Sequence, residues 1–548
     1  MFKKKWKIVS LAVLGAVFFV VYLYLYLPSA PKCPNYLILN QPDESINYFF
    51  IRELALNNRF GLPEPLAGIT ASQVHPRSTT VVNGAIVPIG FPGVIVFFGL
   101  LTKLLVKIFG IDNFNLFAIV MTPLLAAVTP LFFYGFLRRV WDEKVAWLSS
   151  VLLFFLPPWW YYASRPFQHN TLLMFLIVVG LYFYTRCHSE RLPDRQAGSE
   201  ESLFQTSLMT FLSGLCFGLA IYVRPSEIVW LAALGIYGLV MARKVWSWRE
   251  YFFCGVGLVL TAILFFTTQI AFYGFAFASG YVRPTIDGAG GIITAGPQGI
   301  GLIKAMFLPF GLHFGAIARN FYAYFFKLFG AWSLLALAGA FLLIKFKKNL
   351  SYFLTYIFGS IYLLIFYGSW QFFDNLLREP SIGTSYVRYF LLIYVFGLPF
   401  LSFFLLWLWQ KKYIFKIVTV ILFMALAINS LGAVFAPLEG LSAVKATVAR
   451  YGEWQEKIYS LTENNAVIVT RYADKYLFPG RKIIPGWEMT EQKNAIILLA
   501  QKGTPIYLYD LKLTEKEEAT WRGFLSNENL KLSSPLAQWE DLELRKIK

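Results

Sequence analysis

The stretch IVSLAVLGAVFFVVYLYLYL, residues 8–27, has no charged residue and follows the basic segment MFKKKWK. A helix of about 20 apolar residues is long enough to cross the ~30 Å hydrocarbon core of a bilayer. Similar apolar runs recur along the 548 residues, of which 57% are hydrophobic and only 15% charged. A soluble domain of this length needs more charge. The sequence therefore predicts an integral membrane protein, with residues 8–27 as an uncleaved first anchor.

The formal net charge is +18. In a soluble protein such an excess would point to a nucleic acid partner. Here the basic residues cluster in short loops between apolar runs, as expected for loops on the cytoplasmic side of a membrane. No stripe of aromatic and basic residues resembles a nucleic-acid site. We therefore expect a lipid bilayer, and no nucleic acid, as a partner.

The basic loops set the expected topology. They are KKKWK at the N-terminus and the loops at 138–144, 186–202, 243–250, 345–349 and 410–416. If all of them are cytoplasmic, the N-terminus lies inside and the chain ends outside. About eleven spans satisfy this arrangement, at 8–27, 113–137, 145–161, 168–186, 205–222, 226–243, 251–272, 328–345, 350–367, 389–409 and 414–434.

One further apolar segment, residues 87–110, does not fit an arrangement in which the spans cross the membrane alternately outward and inward. A crossing there would place the basic loop RRVWDEK, 138–144, outside. Two prolines and two glycines near its start favour a broken or interfacial helix at the outer surface. The predicted outer loops are then 28–112, which contains juxtamembrane helices, 273–327 and 368–388.

The composition changes after residue 436, where the chain becomes more charged. NAVIVT and PIYLYD are typical of short strands, and TEQKNAIILLAQKG has a helical pattern that ends at Gly503. The predicted fold is an all-α polytopic membrane domain, 1–436, followed by a small extracytoplasmic soluble α/β domain, 437–548. That domain lacks a glycine-rich dinucleotide fingerprint, so we expect no cofactor and interpret it as a capping or acceptor-binding module.

An acidic pair, Asp43 and Glu44, stands in LNQPDESINYFF at the start of the first outer loop. On its own the pair is as well explained by a solvated helix start, because acids favour the positive end of the helix dipole. The outer ends of other spans carry further polar residues: Arg165, His169 and Asn170 in SRPFQHN, Arg224 and Glu227 in YVRPSE, and Arg388 and Tyr389 in SYVRYF. Single interfacial arginines often only extend to the headgroups. Several at one face, near carboxylates, indicate a site for an anionic lipid head group.

The first outer loop also contains QVHPRSTTVVNG, residues 73–84, with His75 and Arg77. Each of these residues taken singly is explained as part of an ordinary polar loop. The four cysteines show neither a disulfide pattern nor a metal motif.

The order of these elements resembles the class C glycosyltransferases. It consists of a first span, an acidic pair that begins a loop helix, an interrupted interfacial helix ending in KLLVKIFG, a span closing on RR, and later SRPF and RYFLLIY. This class includes the protein O-mannosyltransferases and the aminoarabinose transferases that modify lipid A. The resemblance covers most of residues 1–434.

The resemblance implies transfer of a sugar, with inversion, from a polyprenyl-phosphate donor to an acceptor hydroxyl at the outer face of the plasma membrane. Asp43, with Glu44 beside it, matches the acid that takes the hydroxyl proton. Arg388, Arg224 and Arg165, with Tyr389, are the candidate phosphate ligands. His75, Arg77, His169 and Asn170 are the candidate acceptor contacts. Many relatives carry an acid where this chain has His169 and Asn170, and no metal is expected.

Other functions fit the sequence less well. An O-antigen-type ligase or polymerase also has many spans, but the acidic pair and the C-terminal domain argue against it. A flippase or transporter of lipid-linked sugars predicts internal repeats and charges at the middle of the bilayer. A receptor or scaffold does not need about eleven spans. The sugar, the carrier and the acceptor, whether lipid, glycan or protein, are not fixed by the sequence.

Overall fold

The computed structural model describes residues 2–26, 36–90, 92–109, 113–189, 200–243, 246–277, 283–286, 292–295, 308–371 and 379–548. The chain divides into two compact units. The first, called here the helical unit, comprises Met1–Pro28, Leu116–Phe265 and Gly296–Val444. The second, the mixed unit, comprises Ser29–Asn115, Phe266–Ala295 and Lys445–Lys548.

The helical unit is built almost entirely from apolar helices, as a lipid environment requires because helices satisfy their own backbone hydrogen bonds. Their bounds, in chain order, are Phe2–Tyr22, Phe114–Val140, Glu143–Phe155, Pro157–Ala163, His169–Ser189, Glu200–Val223, Ile228–Ala242, Trp248–Tyr273, Phe314–Phe321, Gly330–Lys345, Leu350–Gly368, Ser385–Tyr389, Leu391–Trp409 and Tyr413–Val434. Short 3₁₀ turns occupy Leu23–Leu25 and Pro225–Glu227, and a π-helix occupies Tyr322–Lys327.

Nine helices of the described part of the chain are long and apolar enough to cross a membrane. A tenth candidate is the pair Phe314–Lys327 and Gly330–Lys345, which is bent by 100°. The protein is therefore a multi-pass membrane protein, while the predicted number of about eleven spans is not confirmed. The predicted span 145–161 consists of two short helices that meet at Leu156. Pro157 cannot donate a backbone hydrogen bond, so one helix ends before it and another begins there.

Small residues bring helices of the helical unit close together, as is common in membranes. A Cβ atom added at Gly339 would lie 1.8 Å from the carbonyl oxygen of Phe400. Gly218 is in the same situation against Thr261, whose Oγ1 would lie 1.9 Å from an added Cβ. At these positions the helix backbones leave no room for a side chain.

The mixed unit combines the predicted first outer loop with the C-terminal part of the chain. The loop forms the helices Pro42–Asn57 and Gly93–Phe109 and an antiparallel sheet of Leu62–Pro63, Ala85–Pro88 and Thr79–Val82, in that spatial order. The strands Arg283–Ile286 and Ile292–Ala295 pair antiparallel with each other. The segment predicted at 87–110 is a strand end followed by a helix that starts directly after Pro92. Its location at the membrane surface stays a prediction.

The C-terminal part forms a five-stranded sheet in the order Lys482–Pro485, Val467–Thr470, Ile506–Leu511, Leu542–Ile547 and Ala537–Trp539. The first three strands are parallel, and the remaining pairings are antiparallel. The helices are Leu441–Leu461, Asp474–Leu477, Thr490–Gln501 and Glu515–Ser526. The predicted strands and the helix before Gly503 are therefore present. The predicted domain boundary at residue 436 stays a prediction.

Candidate active site

The ten residues predicted to form the site lie in both units. Asp43, Glu44, His75 and Arg77 belong to the mixed unit. Arg165, His169, Asn170, Arg224, Arg388 and Tyr389 belong to the helical unit. The two groups are described separately below.

The acidic pair occupies the first turn of the helix Pro42–Asn57, and its two carboxylates have different partners. Glu44 is 1% exposed, and its Oε2 accepts a hydrogen bond of 3.1 Å from the backbone N–H of Gln41. This is half of a capping box, in which a side chain satisfies a free N–H at the start of a helix. Asp43 is half-buried, and its Oδ1 accepts a 2.6 Å hydrogen bond from Ser78 Oγ. Glu44 therefore stabilises the helix start, and Asp43 is the better candidate for proton transfer.

Arg77 forms an ion pair with a residue of the C-terminal part. Its Nη2 lies 2.6 Å from Oδ1 of Asp474, which is 1% exposed. The Nε atom of Arg77 also donates to Asp474 Oδ1, and its backbone N–H donates to Oδ2, both at 2.9 Å. His75 lies close by, with Nδ1 2.9 Å from the carbonyl oxygen of Pro76. Acceptor binding by His75 or Arg77 stays a prediction.

A shallow cleft lies beside the start of the same helix, within the mixed unit. Its lining is mostly aromatic and apolar, with Asp474 and Lys475 as the charged residues. The aromatic members are Tyr36, Tyr48, Phe49 and Phe478.

In the helical unit, Arg224 is the centre of a buried polar cluster. It lies in a helix break created at Pro225 and is 3% exposed. Its Nη2 is 3.1 Å from Oε1 of Glu227 and donates to the hydroxyl of Tyr367 at 2.6 Å, while Nη1 donates to Oδ1 of Asn170. The buried guanidinium thus has a carboxylate and two polar neighbours, which offset its loss of water.

Both carboxylate oxygens of Glu227 accept hydrogen bonds from neighbouring side chains. Its Oε1 accepts a 2.6 Å hydrogen bond from the Tyr367 hydroxyl, and its Oε2 accepts one of 2.5 Å from Trp230 Nε1. The sequence drew attention to both Arg224 and Glu227 in YVRPSE. The structure shows that this acid is the partner of the arginine.

Arg388 and Tyr389 join this cluster from the short helix Ser385–Tyr389. Arg388 donates to Ser385 Oγ at 2.8 Å, and its guanidinium carbon lies 5.3 Å from the centre of the Tyr389 ring. The guanidinium carbon of Arg224 lies 4.9 Å from the same ring. Tyr389 in turn stacks on Tyr367 at 4.4 Å. The two guanidinium groups of Arg224 and Arg388 therefore lie around one aromatic pair, Tyr367 and Tyr389.

Arg224 and Asn170 each have a side-chain donor without a hydrogen-bond acceptor within the part of the chain that the structure describes. These donors are Nε of Arg224 and Nδ2 of Asn170, which is 2% exposed. Buried donors normally find a partner in the protein, in water or in a ligand. His169, the residue before Asn170, is half-buried at the start of the helix His169–Ser189.

Arg165 has different neighbours. It is fully buried, and its Nη1 donates to the hydroxyl of Tyr161 at 2.6 Å. Gly383 packs against both this hydroxyl and Glu439. A Cβ atom added at Gly383 would lie 3.1 Å from the Tyr161 hydroxyl and 2.9 Å from Cβ of Glu439. Glu439 also accepts a hydrogen bond from Ser381 Oγ. The sequence did not single out Glu439, because an acid in a short loop after the last span is normally just solvated.

No group of three or more histidine, cysteine or acidic side chains that could hold a metal ion is found among the described residues. The thiols of Cys187, Cys216 and Cys254 are buried.

Comparisons with known proteins show what the chain is similar to in sequence and in fold. Residues 83–280 match the Alg9-like mannosyltransferase family. The fold is similar to the oligosaccharyltransferase of Archaeoglobus fulgidus in its apo form, with a TM-score of 0.54 and 12% identity over 96% of this chain and 71% of that chain. It is also similar to ArnT from Cupriavidus metallidurans in the apo state, with a TM-score of 0.51 and 12% identity over 100% and 98% of the two chains. No curated protein sequence matches the chain significantly.

The structural similarities establish the fold, and the family match adds a sequence similarity over about a third of the chain. Both agree with the expectation drawn from the acidic pair, the interrupted loop helix and the arginines at the span ends. The comparisons bear out the predicted resemblance to the class C glycosyltransferases and, with it, the predicted enzyme class of glycosyltransferase.

Proposed function

We propose that this protein transfers a sugar from a polyprenyl-phosphate donor to an acceptor hydroxyl at the extracytoplasmic face of the plasma membrane. The observation that carries the proposal is the buried cluster of Arg224, Arg388, Tyr389 and Asn170. This cluster brings two guanidinium groups together, and Nε of Arg224 and Nδ2 of Asn170 have no hydrogen-bond acceptor among the described residues. It belongs to a unit of membrane-crossing helices, where an anionic group attached to a lipid is the expected ligand.

The cluster suits a phosphate because guanidinium groups bind its oxygens with two parallel hydrogen bonds. Glu227 holds Arg224 in a fixed orientation, with Nε unpaired among the described residues. Arg388 adds the second cation and Asn170 Nδ2 a neutral donor. Polyprenyl phosphate is also the leaving group of the proposed reaction, so these residues stabilise the charge that develops as the bond to the sugar breaks. Arg165 remains a further candidate cation.

The proposed general base is Asp43. Its carboxylate takes the proton of the acceptor hydroxyl while the oxygen attacks the anomeric carbon. Attack from the face opposite to the phosphate inverts the configuration at that carbon. The hydrogen bond from Ser78 fixes the orientation of the carboxylate. Because Glu44 is buried and caps the helix, we assign it a supporting role rather than proton transfer.

The acceptor is a hydroxyl of a lipid, glycan or protein. His75, Arg77 and His169 are its proposed contacts, together with the aromatic cleft beside Pro42, whereas Asn170, predicted from the sequence as an acceptor contact, is proposed here to bind the phosphate. Of these, Arg77 is already committed to Asp474, so we expect it to act mainly through the loop that it holds. The distribution of basic loops supports a cytoplasmic N-terminus and an extracytoplasmic C-terminal part.

The test is sugar transfer by the purified full-length protein in lipid nanodiscs, with a panel of radiolabelled polyprenyl-phosphate sugars and with extracted envelope lipids, glycans and proteins as acceptors. We expect transfer from one donor class, and we expect Arg388→Gln to raise the KM for that donor at least about tenfold, since a charged hydrogen bond is lost. Arg319→Gln, at an exposed arginine of the same unit, is the matched control. Equal KM values for the two variants, or movement of the lipid-linked sugar across the bilayer without transfer, would contradict the proposal.

A further inference from the structure

We propose that the C-terminal α/β part positions the catalytic carboxylate, and that Asp474 is a positioning residue for Asp43 that acts through Arg77 and Ser78. This inference rests on the proposed function in one respect, the assignment of Asp43 as the general base. It gives the C-terminal part a role in the reaction that a module binding only the acceptor would not have. All of the contacts involved lie within the mixed unit.

The first step is the fixation of Arg77 by Asp474. One carboxylate accepts three hydrogen bonds from Arg77, one from its backbone N–H and two from its side chain, at 2.6–2.9 Å. Arg77 Nη2 also donates to the carbonyl oxygen of Tyr472 at 3.1 Å. Because backbone and side chain bind the same group, both the place and the direction of the chain at residue 77 are fixed.

Asp474 is itself held by the C-terminal sheet. It begins the short helix Asp474–Leu477, which follows the buried strand Val467–Thr470. The hydroxyl of Thr470 accepts hydrogen bonds from the N–H groups of Tyr472 and Ala473, at 3.3 and 3.1 Å, and so shapes the turn between them. Asp474 is 1% exposed and therefore cannot move without disturbing this turn.

The second step is the conformation of Ser78. Its φ of +58° lies in the left-handed region, which serine rarely adopts, so its neighbours must hold it there. Arg77 fixes the chain before it, and the hydrogen bond from Ile89 N–H to the Ser78 carbonyl oxygen, at 2.9 Å, fixes the chain after it. In this conformation Ser78 Oγ donates to Asp43 Oδ1 at 2.6 Å.

A second connection reaches the helix that carries Asp43. Ser45 Oγ, in the first turn of that helix, donates at 3.0 Å to the carbonyl oxygen of Lys475, the residue after Asp474. One turn later, the ring of Phe49 packs edge-on against Phe478 with centroids 4.9 Å apart. The same short C-terminal segment therefore holds both the helix start and the hydroxyl that orients the carboxylate.

The test compares kcat and KM of full-length variants with the donor identified as above. We expect Ser78→Ala and Asp474→Asn to lower kcat by about ten- to hundredfold with little change in the KM of the donor, since only the orientation of the base is lost. Asp541→Asn, at an exposed aspartate of the same unit, is the matched control and is expected to keep the kcat of the unchanged protein. Ser78→Ala keeps the ion pair, so it remains informative if Asp474→Asn folds poorly.

A double-variant comparison separates positioning from general destabilisation. If Asp474 acts through Asp43, then Asp474→Asn lowers kcat in the unchanged protein but causes no further loss in an Asp43→Asn background. Equal losses of kcat in both backgrounds would overturn the positioning role of Asp474 but not the assignment of Asp43 as the base. The same conclusion would follow if Ser78→Ala and Asp474→Asn had the kcat of Asp541→Asn. Full kcat in the single Asp43→Asn variant would instead refute the base assignment, and the positioning role with it.

Discussion

Replacing Glu227 by glutamine removes the counter-charge of Arg224 and keeps the size and shape of the side chain. Both residues are buried, with exposed fractions of 1% and 3%. The amide oxygen can still accept from Tyr367, but the amide nitrogen then faces the N–H donor of Trp230. The variant therefore leaves a buried guanidinium without its carboxylate.

The geometry sets the size of the effect. Unit charges 3.1 Å apart attract each other by about 5 kcal/mol at an effective dielectric constant of about 20. Removal of one partner of a buried pair typically destabilises a protein by about 3–5 kcal/mol. We expect Glu227→Gln to destabilise the protein by an amount in this range and to lower the apparent Tm by about 3–4 °C, given the unfolding entropy of a chain of 548 residues.

Thermal unfolding in detergent, followed by intrinsic tryptophan fluorescence, measures this loss. Glu143→Gln is the control, because Glu143 forms an ion pair with Lys7 at 3.5 Å but is 50% exposed, and we expect a change below about 1 kcal/mol. The double variant Arg224→Gln, Glu227→Gln should regain part of the lost stability, since no unpaired charge is left buried. A Tm for Glu227→Gln equal to that of Glu143→Gln, or a double variant less stable than the single one, would refute the reasoning.

Two further predictions concern stability. Gly339→Ala should destabilise the protein by at least about 1–3 kcal/mol, because its Cβ would overlap the carbonyl oxygen of Phe400. Gly432→Ala is the control and should not destabilise it, because an added Cβ there has no neighbour within 4 Å. Thermal unfolding of both variants measures the difference. The hydrogen bond from Lys546 lowers the pKa of Glu463 from its ordinary 4.5 to about 2, so this carboxylate stabilises the fold above the ordinary pKa and the stabilisation is lost as the pH falls towards 2. Since Glu463 is 44% exposed, the lost stability is at most about 1 kcal/mol. Denaturant unfolding measures it: between pH 7 and pH 3 the free energy of unfolding should decrease less in Lys546→Met than in the unchanged protein.

Much of the fold could be predicted because its signals are local. Apolar length identified most of the helices that are long and apolar enough to cross a membrane, and short apolar runs identified strands of the C-terminal sheet. The helix break at Pro157 was missed because the apolar run continues through it. The bend before Gly330 follows a π-helix and contains no proline, so the sequence offers no signal for it.

The site was predictable in its residue types but not in its pairings. Pro42, Asp43 and Glu44 have the pattern of a helix start, and the spacing of Glu44 from Gln41 fits a capping box. Arg77 and Asp474 are 397 positions apart in the sequence, and Arg224 and Asn170 are 54 apart. Only tertiary structure brings such residues together. In the sequence Asp474 is an ordinary acid of a polar domain.

The most direct test of the central claim is sugar transfer by the unchanged protein and by Asp43→Asn, at matched expression in membranes, with Asp541→Asn as the control. The substrates are radiolabelled polyprenyl-phosphate sugars. A general base typically contributes about 10²–10⁴-fold, so we predict transfer by the unchanged protein and the control and a loss of at least about a hundredfold in Asp43→Asn. Transfer by Asp43→Asn at the rate of the control would contradict the account.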